Sequence, residues 1–567
     1  MSNKAWLSQY PAEVPATYPY PDLTVPQLLI DAAERYPKAT ALDFMGKRMT
    51  YRAVLAAARR FANGLLGLGV SKGDRVALML PNCPQMVISY YGTLMTGAIV
   101  VMTNPMYSKR ELEHQLRDSG AAVLVTLDQL LPRVEQAAKT VPLNRIIVTS
   151  IGDYLPFPKN MLYRIKLRKE GVPAKLAENG RIIGFRRLLD EALEAPIEPR
   201  LDPATDLALL QYTGGTTGLA KGVMLTHRNL VANTIQCRLW FYKAQDGMER
   251  YLCVLPFFHV FGLTTLLHLG IYTAGTLILV PRFEIGQVVR TIRKKKPTIF
   301  PGAPTMYIAI LNHAEGNRSK GKRGWLSSIR ICISGAAPLP QQVQEKFEAL
   351  SGGKLIEGYG LTEASPVTHV NNIWERRKNG SIGIPIPDTK ARIVRPDTWE
   401  DAAPGEIGEL AVRGPQVMQG YWGKPAETEK VLKDGWLLTG DMGTMDDDGF
   451  CYILDRRKDL ILAGGYNVYP REVEDVLYEH PLIAEVAVAG VADPYRGETV
   501  KAFIVLREGA KLGGEELRFW CKDKLAAYKI PRLFEFREAL PKTMAGKVLR
   551  RKLVEEEGER IPGPGGG

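Results

Sequence analysis

Short β-branched runs recur through the first three quarters of the chain, separated by stretches with helical spacing: Arg75–Leu80, Ala121–Val125, Arg145–Val148, Thr276–Val280 and Ile329–Ile333. Strands that alternate with helices in this way predict wound α/β sheets. At 567 residues the chain exceeds a single core, and about 150 residues per domain suggests two to four packed units. Ligands of such sheets sit in loops at the carboxyl ends of strands.

Two stretches, Val76 to Ser108 and Tyr251 to Pro281, contain no Lys, Arg, Asp or Glu. Length alone would make each a membrane span. Pro81 and Pro84 interrupt the first, and Pro256, Gly262, Gly270 and Gly275 the second. That pattern fits strand, loop, helix and strand of a buried core better than a lipid-exposed helix. The N-terminus lacks the continuous apolar core of a signal peptide. Six cysteines are scattered with no Cys-x-x-Cys spacing, which argues for free thiols in a reducing compartment and against a zinc site or disulfide framework. The expected location is cytoplasmic.

After about Asp455 the pattern changes to shorter α+β units. Pro470 to Tyr478 opens with proline and acids, as a helix start should, and places Val473, Val476 and Leu477 at helical spacing. Strand-like Glu485–Ala489 and Val500–Val505 follow. Residues 455 to 560 therefore read as a small separate domain behind the charged linker Asp455-Arg-Arg-Lys-Asp459, and the tail 561–567 as disordered.

The chain carries 74 basic and 61 acidic residues, a net charge of +13. Between Lys159 and Arg187 nine basic residues meet two acidic ones, a local net of +7. Such a segment is either a solvated helix face or a basic amphipathic surface for anionic lipid at the inner face of a membrane. Few aromatics accompany it and no binding module is recognisable, so nucleic acid is not expected as a partner. The sequence does not fix an oligomeric state.

The run Thr213-Gly-Gly-Thr-Thr-Gly-Leu-Ala-Lys-Gly222 follows the apolar Leu207–Tyr212. Its glycines let the backbone approach an anion closely and turn N–H groups inward, while the hydroxyls and Lys221 add donors. It is a polyphosphate loop by chemistry, yet neither a Walker A motif nor a dinucleotide fingerprint. Five further segments suit nucleotide activation. Gly335-Ala-Ala-Pro-Leu339 leaves room for a flat ring, and Glu357-Gly-Tyr-Gly-Leu-Thr-Glu363 is expected to put an aromatic, a hydroxyl and a carboxylate on one turn. Trp436-Leu-Leu-Thr-Gly-Asp441 ends in a carboxylate suited to ribose hydroxyls; the linker with Arg456 and Pro541-Lys-Thr-Met-Ala-Gly-Lys547 complete the set. Each segment alone has an ordinary reading as a turn or a solvated end.

Taken together and in this order, these segments resemble the acyl-adenylate-forming superfamily over essentially the whole chain. Trp6–Pro11, Arg110–Arg117, Gln211–Gly218, Leu225–Asn229 and Gly465–Pro470 are similar to bacterial long-chain fatty acid–CoA ligases. One departure is Ala220, where most of the superfamily has proline before the lysine; losing that φ restraint loosens the loop without removing a phosphate donor. The resemblance implies a large domain of wound α/β sheets with a β-barrel-like part (1–455), a hinge (456–458) and a small mobile α+β domain (459–560). It also implies Mg-dependent attack of a fatty acid carboxylate on ATP to give acyl-AMP and pyrophosphate, followed by attack of the coenzyme A thiol. A ligase for medium-chain or aryl acids would use every one of these motifs.

Position by position, the resemblance implies that Thr213, Gly214, Gly215, Thr216, Thr217, Gly218 and Lys221 hold the β- and γ-phosphates. Glu363, with Thr213, would take Mg²⁺ as a hard oxygen ligand. Gly335, Ala336, Ala337, Gly358, Tyr359 and Gly360 would surround adenine, Thr362 would approach the α-phosphate, and Asp441 and Arg456 would take the ribose hydroxyls. Lys547 would bridge carboxylate and α-phosphate, and Lys458 would be the hinge about which the small domain rotates. Gly464, Gly465 and Tyr466 would serve the thioester step. His259, Phe261 and Gly262 would border the acyl site, with His259 either a base or a packed core histidine.

Overall fold

The structure is a computed structural model that describes residues 4–172, 176–197, 199–213, 220–316, 324–396, 398–403, 405–463, 466–493, 497–543 and 547–560. The expected disordered tail, 561–567, lies outside the described residues.

The largest sheet has eight strands. In chain order its first seven are β1 (Arg75–Met79), β2 (Ile99–Met102), β3 (Val123–Leu127), β4 (Arg145–Thr149), β5 (Ile182–Gly184), β6 (Leu207–Thr213) and β7 (Lys221–Thr226). Strands β6-β2-β1-β3-β4-β5 are parallel neighbours, β7 returns antiparallel to β6, and the short strand Gly420–Tyr421 closes the β7 edge. The chain winds outward from β1 in both directions.

The helices that frame this sheet and its neighbours include α1 (Pro84–Met95), α2 (Lys159–Lys169) and α3 (His227–Trp240). Every residue of α1 is buried, which is why the segment carries no charge. Both uncharged stretches therefore run as strand, loop, helix and strand; in the second, Arg250–Cys253 and Thr276–Leu279 flank helical turns over Val260–Tyr272. Among the described residues no helix is long and apolar enough to cross a membrane.

A second sheet carries Arg250–Cys253, Thr276–Leu279, Thr40–Phe44 and Lys47–Thr50. Bridges Tyr251↔Ile299, Ile299↔Ile331 and Gly302↔Ser334 join it to the sheet that holds β8 (Ile331–Ser334) and β9 (Lys354–Gly360). The predicted strand 329–333 thus begins two residues later, because Ile329 closes a turn by donating its N–H to the Leu326 carbonyl. The barrel-like part takes the form of a five-stranded antiparallel sheet that includes β10 (Trp436–Met445) and β11 (Cys451–Arg456).

Beyond β11 the last domain has its own apolar core, containing Ile461, Val473, Leu477, Val486 and Ile504. Its long hairpin pairs β12 (Ile483–Asp493) with β13 (Gly497–Leu506), extending the two predicted strands at both ends. Preceding the last domain, α4 (Pro425–Val431) lies against the Gly420–Tyr421 strand; within the domain, α5 spans Pro470–Tyr478, the predicted limits, and α6 covers Arg550–Arg560. All six cysteines are buried and unpaired.

Candidate active site

The polyphosphate loop connects two strands of a hairpin. Thr213 at the end of β6 pairs with Lys221 at the start of β7, and Gly214, Gly215, Thr216, Thr217 and Gly218 lie outside the described residues. No helix follows the lysine; β7 is a strand, stitched to the next segment where Trp422 N–H donates to the Gly222 carbonyl at 2.8 Å. Lys221 Nζ lies 2.6 Å from Glu427 Oε2 on α4 and 4.9 Å from the ring centre of Tyr421. Hydrogen bonds from Lys221 and then Lys430 hold the Glu427 carboxyl down at about 2.

Thr213 and Lys221 open onto a cavity of about 940 Å³. Gly335, Ala336, Gly358, Tyr359, Gly360, Thr362, Glu363, Arg456 and Lys547 line it as well, so residues spread over more than 330 positions of sequence meet in one space. Ala337, Asp441 and Gly262 are not among the residues that line it. The expected single turn is in fact two elements: Tyr359 lies within β9, one residue from its end, and Thr362–Ala364 form a 3-10 turn after it. Gly360 is required at the junction, because a Cβ there would sit 2.2 Å from the Pro366 carbonyl oxygen.

Behind this wall the polar groups hold one another. Asp441 and Arg456 are cross-strand partners of β10 and β11, with Arg456 Nε 3.3 Å from Asp441 Oδ1. The Tyr359 hydroxyl donates to the other carboxylate oxygen, and burial together with Asp441 pushes the phenol pKa far up, so it stays a donor. Glu363 receives a hydrogen bond from the Tyr421 hydroxyl at 2.9 Å on Oε1. That contact fixes the carboxylate while leaving it on the wall of the cavity that Thr213 also lines. One carboxylate, a hydroxyl and the space for phosphate oxygens are a donor set that suits Mg²⁺.

Lys547 arrives from the last domain. There the Thr543 N–H donates to the Lys547 carbonyl at 2.8 Å and the Lys547 N–H to the Thr543 hydroxyl at 3.2 Å. Asp455 seats the domain: its carboxylate accepts from Arg471 N–H at 2.9 Å and from Arg550 Nη1 at 3.1 Å, while Arg550 also grips Glu474 at 2.7 Å. Burial opposes the charge on Arg550, but Glu474 and Asp455 outweigh it and raise its pKa. At Lys547 the balance goes the other way. Desolvation first, then Arg456, bring the ammonium down to about 8 against the pull of Asp441 and Asp459.

His259 and Phe261 also line the cavity. Burial, then the nearby Lys547, lowers the imidazole to about 4, so it is neutral and a poor base at physiological pH. Its Nδ1 accepts the Phe261 N–H at 3.4 Å, which leaves the proton on Nε2. Sequence reasoning missed Met102 at the end of β2, Trp240 and Cys237 on α3, and Phe241, which add apolar surface to the same space. The signal was present in α3, which is buried nearly all round and so offers no solvent-facing stripe. Tyr421 and Glu427 were missed too, since nothing in their local spacing points to Lys221 or Glu363. Tyr466 is exposed, stacks on Tyr528 and stands away from the cavity. Gly464, Gly465 and the side chain of Lys458 lie outside the described residues.

The profile described as AMP-binding enzyme matches residues 29–422, and that of the AMP-binding enzyme C-terminal domain matches residues 472–547. The chain is 52% identical to a protein of Bacillus subtilis (strain 168) named long-chain-fatty-acid–CoA ligase, over 98% of this chain and 99% of that one. Among solved structures it is similar to the anthranilate CoA ligase AuaEII in complex with anthranoyl-AMP, with a TM-score of 0.83, 28% identity, and 97% and 99% of the two chains covered. It is also similar to the O-succinylbenzoate coenzyme A synthetase of Bacillus subtilis in complex with ATP and magnesium ion, with a TM-score of 0.76, 30% identity, and 93% and 99% covered.

The Tyr421–Glu363 contact gives a direct test. A hydrogen bond to a carboxylate contributes about 1.5–3 kcal/mol, so Tyr421→Phe is expected to weaken MgATP binding about tenfold in calorimetric titration. Unaltered affinity would mean that the hydroxyl only fills space.

Proposed function

This chain belongs to the AMP-binding enzyme family, and from that premise we infer that it ligates a long-chain fatty acid to coenzyme A, using ATP and Mg²⁺ and passing through acyl-AMP. The observation that carries the reading is one cavity lined by a phosphate-type lysine, a metal-type carboxylate and a second lysine from another domain, together with a set of buried apolar side chains. A carboxylate is a poor electrophile at neutral pH. Converting it to a mixed anhydride supplies a leaving group, and the work left to the protein is mainly charge stabilisation on an anionic site.

In this reading Lys221 and the loop before it hold the leaving pyrophosphate, and exchange of Lys221 from Glu427 to phosphate accompanies ATP entry. Asp441 and Arg456 take the ribose hydroxyls, and Tyr359 stacks on adenine from a position fixed by its bond to Asp441. Glu363 and Thr213 would hold Mg²⁺, which when bound neutralises phosphate charge. Lys547 neutralises charge between the acyl carboxylate and the α-phosphate, while His259 keeps its Nε2 proton and orients the acyl group as a donor. The apolar surface from α3 and Phe261 accommodates the chain.

Division of the chain into 1–455, a hinge at 456–458 and a domain at 459–560 follows from the same reading. With Lys547 in the cavity and Tyr466 outside it, this is the arrangement for the first half-reaction. Rotation about Lys458 would withdraw Lys547 and bring Gly464, Gly465 and Tyr466 to the thioester step. A cytoplasmic enzyme whose substrate is poorly soluble gains from contact with the membrane's inner face, and we place that contact in the basic segment 159–187.

Acid-dependent pyrophosphate exchange with MgATP, measured from C6 to C18 acids and an aryl acid, is the test of the substrate class. Exchange is expected to be fastest with the long acids and to be followed by turnover with free coenzyme A. A maximum at C6 or with the aryl acid would transfer the reading to a medium-chain or aryl ligase, and no exchange with any acid would refute it.

The pH profile supplies an independent check. Lys547 must be cationic to bridge two anions and is so only below about 8 in the free enzyme. The kcat/KM of adenylation is therefore expected to fall as pH rises through about 8, approaching tenfold per pH unit. Lys547→Arg should remove that limb. A profile flat to pH 10 in the unaltered enzyme would contradict the role.

A further inference from the structure

Helix α2 is attached to the body by one face and bare on the other. Leu167 is buried and Tyr163 half-buried, packing toward the turn at Gly152, where a Cβ would come within 3.2 Å of the Tyr163 ring. The opposite face exposes Met161 at 54%, Leu162 at 62% and Ile165 at 49%, and Phe157 just before the helix is 77% exposed. At 3.6 residues per turn the three helical side chains fall within an arc of about 100°. Single exposed apolar residues are ordinary on a soluble surface, but a stripe of this kind with an aromatic at its head marks an interaction site.

The charges around the stripe are of one sign. Arg164 and Arg168 border one side, Lys159 and Lys166 the other, and Lys169 lies at the carboxyl end; all five are exposed. Lys166 meets Glu170 at 3.6 Å and Lys159 donates to the Met45 carbonyl at 2.8 Å. Among the described residues no carboxylate pairs with Arg164, Arg168 or Lys169. An apolar stripe flanked by cations, three of them without a carboxylate partner among the described residues, complements an anionic bilayer, where acyl chains receive the stripe and phosphates receive the rims. A polyanion in solution would account for the cations and leave the stripe wet.

We propose that α2 is a docking ridge that lies in the interface of an anionic membrane, inserting Phe157, Met161, Leu162 and Ile165 among the acyl chains while the flanking cations bind headgroups. The proposal rests on the reading of a long-chain acid as substrate, since it places the enzyme at the phase where such an acid partitions. It differs from simple charge attraction in a measurable way: part of the binding persists when salt screens the cations.

The test is co-sedimentation of the full chain with phosphatidylcholine vesicles, with and without phosphatidylglycerol, at low and high salt. The unaltered protein should bind the anionic vesicles and keep a residual fraction at high salt. The triple variant Met161→Gln, Leu162→Gln, Ile165→Gln should lose that fraction and bind about tenfold more weakly at low salt. Arg164→Gln with Arg168→Gln should lose the salt-sensitive part. Both variants should turn over hexanoate like the unaltered enzyme, showing intact folding. Failure of the unaltered protein to bind, binding by the triple variant equal to the unaltered protein's, or concentration-dependent dimerisation abolished by the triple variant without vesicle binding would each overturn the ridge. Vesicle-free pyrophosphate exchange separates the two readings: exchange without docking refutes only the ridge, and docking without exchange refutes only the ligase.

Discussion

The buried carboxylate of Asp455, at the end of the antiparallel sheet, receives the Arg471 N–H and the Arg550 guanidinium, and through these contacts the last domain is seated with Lys547 turned into the cavity. Arg550 follows Lys547 by three residues in sequence, so the anchor and the catalytic-type cation share one short segment. A buried ion cluster of this sort adds little net stability, because desolvation cancels much of the attraction. What it does supply is geometry: a charge removed from its partners in that position would be left buried and unpaired, so the seated arrangement is sharply defined. The proposed rotation of the domain would have to exchange these contacts together, as a two-position device would and a loose tether would not.

The same economy of charge governs the cavity. Three cations, Lys221, Arg456 and Lys547, face a space meant for a polyanion, and two of them have carboxylate neighbours in Glu427 and Asp441. Among the described residues Lys547 has no such close partner, and desolvation and then Arg456 lower its pKa. His259 stands next to it as a neutral group, so the site does not set two cations against each other. Dry walls around these groups strengthen each interaction when the phosphates arrive.

Much of this was legible in the sequence because the chemistry is written in short runs. The α/β grammar, the helix at Pro470–Tyr478 and the strand-loop-helix-strand form of the uncharged stretches follow from periodicity and punctuation by proline and glycine. Lys547, Glu363, Tyr359 and Arg456 could be named because their segments, ordinary one by one, together and in order resemble the acyl-adenylate-forming superfamily. Tyr421 and Glu427 could not. Their importance arises from an antiparallel pairing between Gly420–Tyr421 and β7, separated by about 200 residues of sequence, and no local pattern reports it. The apolar lining from Trp240 and Phe241 was hidden for a related reason, as a helix buried nearly all round gives little periodic contrast. The basic segment 159–187 was ambiguous as text, and only the exposed stripe on α2 distinguishes a wetted face from a docking one.

The claim on which the rest depends is that a single mobile domain serves two half-reactions and that Lys547 serves the first alone. Lys547→Ala, assayed separately for acid-dependent pyrophosphate exchange and for thioester formation from supplied acyl-AMP, tests it most directly. The account predicts that exchange falls at least about a hundredfold while thioester formation stays close to the unaltered rate. Equal loss of both half-reactions would contradict it.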